Sequence, residues 1–136
     1  MHLNLKIVTP ERIVYKDTVD SVTAMTESGE ITVLPGHVSL VTNLRAGEMR
    51  LMSSGKEHWL AASTGFLEVR SGNEVIILAD SAERSEELEL DKIEAAKAHA
   101  EKLMQEKHVD DVSFAMAAAA LERELARYKV AMRRRK

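Results

Sequence analysis

The hydrophobic periodicity of the chain changes once, near residue 84, and this change constrains the fold more than any other feature. Before it, apolar and polar residues alternate in short runs, beginning with Leu3, Leu5 and Ile7. Such alternation turns one side of each run toward a core and the other toward water, as in β-strands. After it, the helix formers Ala, Lys, Glu and Leu dominate. We therefore predict a β-domain over residues 1–84 and a helical domain over residues 85–136.

Eight further runs of strand length follow the first one. They are residues 13–15, 19–25, 31–34, 38–42, 48–52, 56–61, 65–69 and 75–79. Turn-forming sequences separate them, among them Pro35-Gly36 and Ser53-Ser54-Gly55. Several short strands at this spacing predict an antiparallel β-sandwich or barrel.

Two helices are predicted in the C-terminal domain. Asp91 and Glu94 have the spacing of a capping box at the start of the first helix, whose apolar stripe is residues 93, 96, 100, 103 and 104. The pattern breaks at residues 107–111, where Asp110 or Asp111 can cap a second helix. The second helix carries a heptad-like apolar seam: Phe114, Ala118, Leu121, Leu125, Tyr128 and Met132. Because the connecting loop is short, the pair predicts an antiparallel hairpin.

The charge of the hairpin is divided along the chain. Residues 85–111 carry nine Asp and Glu against four Lys and Arg, whereas residues 112–136 carry seven Lys and Arg against two Glu. The basic segment could bind nucleic acid, complement the helix dipole or meet an acidic protein surface. Aromatic residues, which stack on bases in single-stranded nucleic-acid sites, make up only 4% of the chain. We favour the acidic protein surface and keep a nucleic-acid-binding adaptor as the alternative function.

The motifs of common enzymes and metal sites are missing from the sequence. There is no cysteine, no glycine-rich phosphate loop and no G-x-S-x-G elbow. The five histidines lack partners at the spacing of a zinc site: His2, His37, His58, His99 and His108. No run is long and apolar enough for a spanning helix, and no signal peptide is visible. We expect a non-catalytic protein without a metal or cofactor.

The run Gly29-Glu30-Ile31-Thr32-Val33-Leu34-Pro35-Gly36-His37 resembles the signature of the epsilon subunit of the bacterial F-type, or rotary, ATP synthase. Residues 8–12 resemble the first strand-turn of that family, and residues 65–69 and 75–82 resemble its last two strands. The resemblance covers essentially the whole chain. It implies an N-terminal β-sandwich, a C-terminal helical hairpin and a non-catalytic role in the central stalk.

The resemblance also implies partners for the sandwich. In the family, this domain joins the gamma subunit to the membrane-embedded c ring during proton-driven ATP synthesis. Glu30 matches the position that touches the c ring, and His37, with Pro35 and Gly36, matches a position near gamma. The expected location is therefore peripheral, at the cytoplasmic face of the bacterial cell membrane. The simplest alternative for Pro35-Gly36-His37 is a tight turn without a partner.

A regulatory role for the hairpin follows from the same resemblance. In bacterial members, the hairpin extends along gamma and its basic face meets an acidic segment of the catalytic alpha and beta subunits, which blocks ATP hydrolysis. The matching residues here are Arg123, Arg127, Arg133, Arg134 and Arg135. In the folded-down hairpin, we expect the acidic stretch of residues 85–111 to neutralise part of this charge.

One departure from the family concerns ATP binding. Some members bind ATP on the hairpin through an I/L-D-x-x-R-A motif, and the corresponding run here is Leu90-Asp91-Lys92-Ile93-Glu94-Ala95. Asp91 is retained, but Glu94 replaces the arginine, and a carboxylate repels a triphosphate where a guanidinium binds it. Lys92 and Lys97 are the nearby cations that would have to substitute. We therefore expect weak ATP binding or none.

Overall fold

The computed structural model describes residues 1–106 and 110–134. Over these residues the chain forms ten strands and two helices, joined by a short 3-10 turn at Ser85–Glu87. The strands are β1 (Leu3–Val8), β2 (Ile13–Val19), β3 (Ser21–Thr26), β4 (Gly29–Val33), β5 (Leu40–Leu44), β6 (Gly47–Ser53), β7 (Lys56–Ala62), β8 (Gly65–Arg70), β9 (Glu74–Ala79) and β10 (Ala82–Arg84). The helices are α1 (Leu90–Met104) and α2 (Asp111–Arg134).

The strands form one sheet that folds over on itself into a sandwich. Their order is β10-β7-β6-β3-β5-β8-β9-β1-β2, with β4 paired to β3. The link between β3 and β5 is a single residue pair, Thr26 with Leu44, and there the sheet bends so that β2 returns to contact β6 and β10. Fully buried aliphatic side chains fill the space between the layers, among them Leu3, Ile7 and Leu51. The predicted sandwich is confirmed.

Two features of the sheet differ from the sequence prediction. β1 pairs with β9 in parallel, whereas the other strand pairs of the described residues are antiparallel. β10 was also not predicted, because three residues are too short to show an alternation. Pairing between strands distant in sequence is set by how the sheet closes, which the local pattern of side chains does not encode.

Gly65, the first residue of β8, is required by close packing of the backbone. It lies opposite Ala79 of β9, and a Cβ atom built on it would come 1.9 Å from the carbonyl oxygen of Leu78. No rotamer change relieves a clash with backbone, so a larger residue would push β8 away from β9.

The ends of the helices confirm one predicted cap and contradict another. The backbone N–H of Ser113 donates to Asp110 Oδ1 at 2.6 Å, so Asp110 caps α2, and this bond lowers the pKa of the Asp110 carboxyl. The predicted capping box of Asp91 and Glu94 is wrong. α1 begins one residue earlier, its N-cap is Glu89, and no side chain caps it. Asp91 lies in the first turn and is exposed.

The predicted seam of α2 is also wrong. Phe114 and Leu125 are exposed, whereas Ala117, Val130 and Ala131 are buried. α2 contacts α1 with one side and β6 and β7 with another, so its buried residues follow two stripes rather than one heptad seam. In α1, the predicted stripe is correct for Ile93 and Ala100, which are both buried. No helix of the described residues is long and apolar enough to cross a membrane.

Candidate functional site

The turn after β4 has the conformation that its sequence predicts. The backbone N–H of His37 donates to the carbonyl oxygen of Leu34 at 3.1 Å, with Pro35 and Gly36 at the two central positions. Gly36 has φ +86°, which a type II turn requires at this place. The Gly36 N–H donates to Asn73 Oδ1 at 2.7 Å and so fixes the turn to the β8–β9 hairpin. The tight-turn prediction is confirmed.

The side chains around this turn point outward. His37 Nδ1 donates to the carbonyl oxygen of Val38 at 2.7 Å, because a carbonyl can only accept, and this leaves Nε2 as the acceptor of the ring. Leu34 and Val38 are both more than half exposed. Glu30 lies on β4 opposite Met25 of β3, and its side chain is exposed at the edge of the sheet. The turn therefore presents a histidine between apolar side chains, with a carboxylate further along the same strand.

One outer side of the sandwich carries a row of exposed apolar side chains, and we call this side the open face. Its strands are β5, β8, β9, β1 and β2. A row of cross-strand neighbours crosses four of them: Phe66, Leu78, Val8 and Ile13. Phe66 and Leu78 are 55% and 50% exposed, and Val41 of β5, opposite Glu68, is a further exposed apolar side chain on the way to Val38 and the turn. A contiguous exposed apolar surface of this kind on a soluble domain marks an interaction site.

The opposite side of the sandwich, the covered face, is formed by β4, β3, β6, β7 and β10 and lies under α2. Its cross-strand neighbours are mostly polar. One row consists of Thr32, Thr23, Arg50 and Trp59, and the next consists of Glu48, Ala61 and Glu83. The hairpin contributes Ile93, Ala126, Val130 and Ala131 to a small apolar cluster with Ala61 and Leu88. This face therefore holds the hairpin with few apolar contacts.

Three of the predicted basic residues of α2 are paired in the docked hairpin. Arg127 bonds to Glu83 of β10 and, at 2.7 Å, to Glu124, which is 2% exposed. Arg133 bonds to Glu48 of β6. Arg123 lies 3.4 Å from Glu124, a longer contact on the same helix. The guanidinium groups of Arg127 and Arg133 therefore attach α2 to the covered face.

These pairs correct one expectation. We expected the acidic stretch of residues 85–111 to neutralise the basic helix, but the carboxylates that pair with Arg123, Arg127 and Arg133 belong to the sandwich and to α2 itself. The arginines of α2 reach the carboxylates of the sandwich only because the hairpin lies on it. A count of charges along the sequence cannot show this arrangement. Arg134 ends α2, and Arg135 lies outside the described residues.

The segment between the sandwich and the hairpin is clamped to β2. Arg12 makes two parallel bonds to Glu87, at 2.8 and 2.7 Å, and these bonds lower the pKa of the Glu87 carboxyl. Arg84 donates to the carbonyl oxygen of Val14, and its guanidinium lies 5.4 Å from the ring centre of Tyr15. The chain is therefore fixed up to residue 87.

The region of the predicted nucleotide motif offers few free cations. Asp91 and Glu94 are both exposed. Lys92 lies 3.2 Å from Glu89, and Lys97 lies over the ring of Tyr128 with its nitrogen 4.8 Å from the ring centre. Among the described residues, no cluster of three or more His, Asp or Glu side chains is arranged to hold a metal ion.

Sequence reasoning missed the residues that make both faces distinct. No role was predicted for Trp59, although the guanidinium carbon of Arg133 lies 3.7 Å from its ring centre. Phe66 and Leu78 were treated as ordinary strand residues. The sequence does mark Trp59 in one way: it is the one tryptophan of the chain and it follows charged residues of its own strand.

Family models match both parts of the chain. Residues 2–85 match the β-sandwich domain of the ATP synthase delta/epsilon chain, and residues 86–132 match its long alpha-helix domain. The chain belongs to the ATP synthase delta/epsilon chain family. The ATP synthase epsilon chain of Dehalococcoides mccartyi strain BAV1 is 45% identical over 134 residues, covering 98% of this chain and 95% of the relative. The epsilon chain of Nitratidesulfovibrio vulgaris strain DP4 is 43% identical over 129 residues, covering 94% of each.

Solved structures agree with the family. A chain in the cryo-EM structure of the Euglena gracilis mitochondrial ATP synthase OSCP/F1/c-ring superposes with a TM-score of 0.82 at 25% identity, covering 96% of this chain and 81% of that one. A chain in the central stalk/c-ring structure of the Tetrahymena thermophila mitochondrial ATP synthase gives a TM-score of 0.66 at 12% identity, covering 96% and 97%, and shows the same fold. The predicted delta/epsilon fold is confirmed over the described residues.

Proposed function

We propose that this chain is a non-catalytic central-stalk subunit that couples the gamma subunit to the c ring and, through its hairpin, inhibits ATP hydrolysis. The observation that carries the proposal is the division of the sandwich into an open apolar face and a covered face with a releasable arginine helix. The division of roles follows the predicted domains, residues 1–84 for coupling and 85–136 for regulation. The similar chains in assemblies named for F1, the central stalk and the c-ring support it.

The open face is our candidate surface for gamma. Phe66, Leu78 and Val41 form an exposed apolar area that continues to the turn bearing His37. Burial of such side chains at a protein interface is favourable by about 25 cal/mol per Å² of apolar area. Glu30 is exposed on the edge strand β4, beside the cleft under α2, and is our candidate contact to polar groups of the c ring. Binding through the complex makes the chain peripheral to the membrane at its cytoplasmic face.

The arginines of α2 are our candidate inhibitory residues. In the docked hairpin, Arg127 and Arg133 already bond carboxylates, so their geometry suits an acidic protein surface. On meeting an acidic segment of the catalytic alpha and beta subunits, these arginines would exchange one set of carboxylate partners for another. Because each arginine leaves one carboxylate and meets another, the new contacts offset much of the free energy lost on undocking.

The test is a comparison of the parent complex carrying the full chain with one carrying a chain that ends at Glu87. The clamp between Arg12 and Glu87 keeps the shortened sandwich intact, so the complex should assemble. ATP hydrolysis should rise, because the arginine helix is gone, while ATP-driven proton pumping stays coupled. Unchanged hydrolysis would remove the inhibitory part of the proposal and leave the coupling part standing.

The nucleic-acid adaptor is the second candidate and has a simple discriminator. An adaptor would co-purify with nucleic acid, whereas a stalk subunit co-purifies with gamma and the other synthase subunits. The pairing of Arg127 and Arg133 with carboxylates favours a protein partner, because a nucleic-acid site leaves its guanidinium groups free for phosphates. A catalytic function would appear as turnover of a nucleotide or ester by the isolated chain.

A further inference from the structure

The C-terminal end of α2 rests on the single tryptophan of the chain. The guanidinium carbon of Arg133 lies 3.7 Å from the ring centre of Trp59, and Arg133 Nε donates to Glu48 Oε2. The ring itself is oriented by a bond from Trp59 Nε1 to Glu57 Oε2 at 3.1 Å. A guanidinium stacks on an aromatic face and forms directed bonds to a carboxylate. The covered face offers both to the same side chain.

A second cation approaches the same ring from the sheet. Arg50 of β6 is the cross-strand partner of Trp59, and its guanidinium carbon lies 5.8 Å from the ring centre. Arg50 Nε is buried and has no hydrogen-bond partner among the described residues. The cleft between α2 and the sheet, about 370 Å³, is also lined by the cations Arg45 and Lys129 and by the carboxylates of Glu30, Glu48 and Glu122. Like charges repel more strongly in such a partly dry cleft than in water.

We propose that Trp59 and Glu48 form a guanidinium-binding site that holds Arg133, and with it the hairpin, on the sandwich, and that Arg50 weakens this site. The site binds a side chain of the same polypeptide, so its occupancy is the docked fraction of the hairpin. Removing Arg133 and removing Arg50 therefore change docking in opposite directions. Its regulatory consequence rests on the proposed inhibitory function, but the binding site itself does not.

The position of the site along α2 makes it a control point. Arg127 pairs with Glu83, and Ala126 and Val130 of the same helix share an apolar cluster with Ala61. Arg133 stacks on the Trp59 ring near the C-terminal end of the helix. The two guanidinium contacts add to the apolar cluster in attaching the helix. While Arg133 is stacked on Trp59, it is not available to an acidic partner.

A single cysteine measures docking in the isolated full-length chain, which has no cysteine of its own. Ala126 lies on the buried side of the docked α2 and is 4% exposed. The rate at which Ala126→Cys reacts with a thiol reagent therefore reports the undocked fraction. In this background, Arg133→Gln should raise the rate by roughly five- to thirty-fold, the range expected for loss of a partly desolvated cation–π contact. Arg133→Lys keeps the charge and should give an intermediate rate.

The variant of opposite sign is Arg50→Gln, which removes the competing cation and should slow labelling by roughly two- to five-fold. Arg123→Gln is the matched control, because Arg123 lines the groove between the helices and pairs only with its neighbour on α2 among the described residues. It should leave labelling within about twofold, because Glu124 keeps its 2.7 Å bond to Arg127 when Arg123 is replaced. If Arg133→Gln also stays within twofold, or if Arg50→Gln speeds labelling, the guanidinium site is wrong.

ATP hydrolysis by the reconstituted complex separates this proposal from the inhibitory function. Arg50→Gln and Trp59→Leu lie in the sandwich, outside the arginine helix, so they change docking without changing the inhibitory residues. Arg50→Gln should raise hydrolysis by holding the hairpin docked, and Trp59→Leu should lower it. If labelling shifts as expected while hydrolysis does not, the guanidinium site stands and the inhibitory function fails.

Discussion

The two outer faces of the sandwich come from the same sheet and carry opposite chemistry. On the covered face, successive strands place polar groups side by side, as Thr23, Arg50 and Trp59 do. On the open face, the corresponding row is apolar, with Phe66 and Leu78 as direct neighbours. The covered face is occupied by a helix of the same chain, and the open face is occupied by nothing within the described residues.

The difference indicates how long each face keeps its partner. Ion pairs between exposed side chains contribute little and are readily replaced by water or by other carboxylates, so the covered face suits a contact that forms and breaks. An exposed apolar row carries an aggregation risk unless a partner stays on it, so the open face suits a permanent interface. Coupling and regulation can therefore operate on one small domain without competing for the same surface.

The largest effect is expected at the open face. Leu78→Glu should weaken binding of the purified gamma subunit by about 2 kcal/mol or more, roughly 30-fold, because it places an unpaired charge at the centre of the interface. The isolated chain should fold normally, since Leu78 is already half exposed. Biolayer interferometry measures the affinity. Val112→Glu, at an apolar position on α2 that is 70% exposed, is the control and should bind gamma normally. Equal affinities for the two variants would contradict the proposed interface.

An intermediate effect is expected beneath the hairpin. Val130 is fully buried in the cluster under α2, so Val130→Ala should reduce the free energy of docking by about 2 kcal/mol through lost burial and a cavity. Amide hydrogen exchange should speed up in α1 and α2 and stay unchanged in the core strands β3 and β6. Val112→Ala, on the exposed side of the same helix, should change neither. Faster exchange throughout the sandwich would mean that the hairpin is not a separate unit.

The smallest effect is expected at the clamp before the hairpin. The bonds from Arg12 lower the pKa of the Glu87 carboxyl from its ordinary 4.5, so the clamp stabilises the fold above that pH and is lost as the pH falls through the lowered value. The Glu87 side chain is 35% exposed, and solvent screening keeps the contribution below about 1 kcal/mol. Thermal unfolding followed by circular dichroism should show Glu87→Gln melting below the unsubstituted chain at pH 7. The difference should shrink as the pH falls below 4.5 toward full protonation of Glu87. A constant difference across this range would assign the stability to another contact.

The sandwich was predictable because alternation is a local signal that burial preserves. Each of the eight runs predicted after the first one overlaps a strand. The Pro35-Gly36 turn was predictable because these two residue types restrict their own backbone angles. The parallel pairing of β1 with β9 was not predictable in the same way, because it depends on how two distant segments meet when the sheet closes.

The hairpin was predicted in outline and missed in detail for a different reason. α2 packs on two neighbours at once, so Glu124 is buried between arginine side chains while Phe114 and Leu125 face solvent. A single apolar seam cannot describe such a helix. The partners of Arg127 and Arg133 were also missed, since Glu83 and Glu48 lie 44 and 85 residues away along the chain. The role proposed for Trp59 depends on Arg133, which packs over its ring.

The clamp of Arg12 on Glu87 also sets a fixed pivot for any swing of the helices. Because the chain is held up to that point, movement begins at the next few residues rather than inside the sheet. α1 has 15 residues and α2 has 24, so the two helices laid end to end would extend about 58 Å from the pivot at 1.5 Å per residue. The lengths of the two helices thereby limit how far from residue 87 the arginines of α2 can reach.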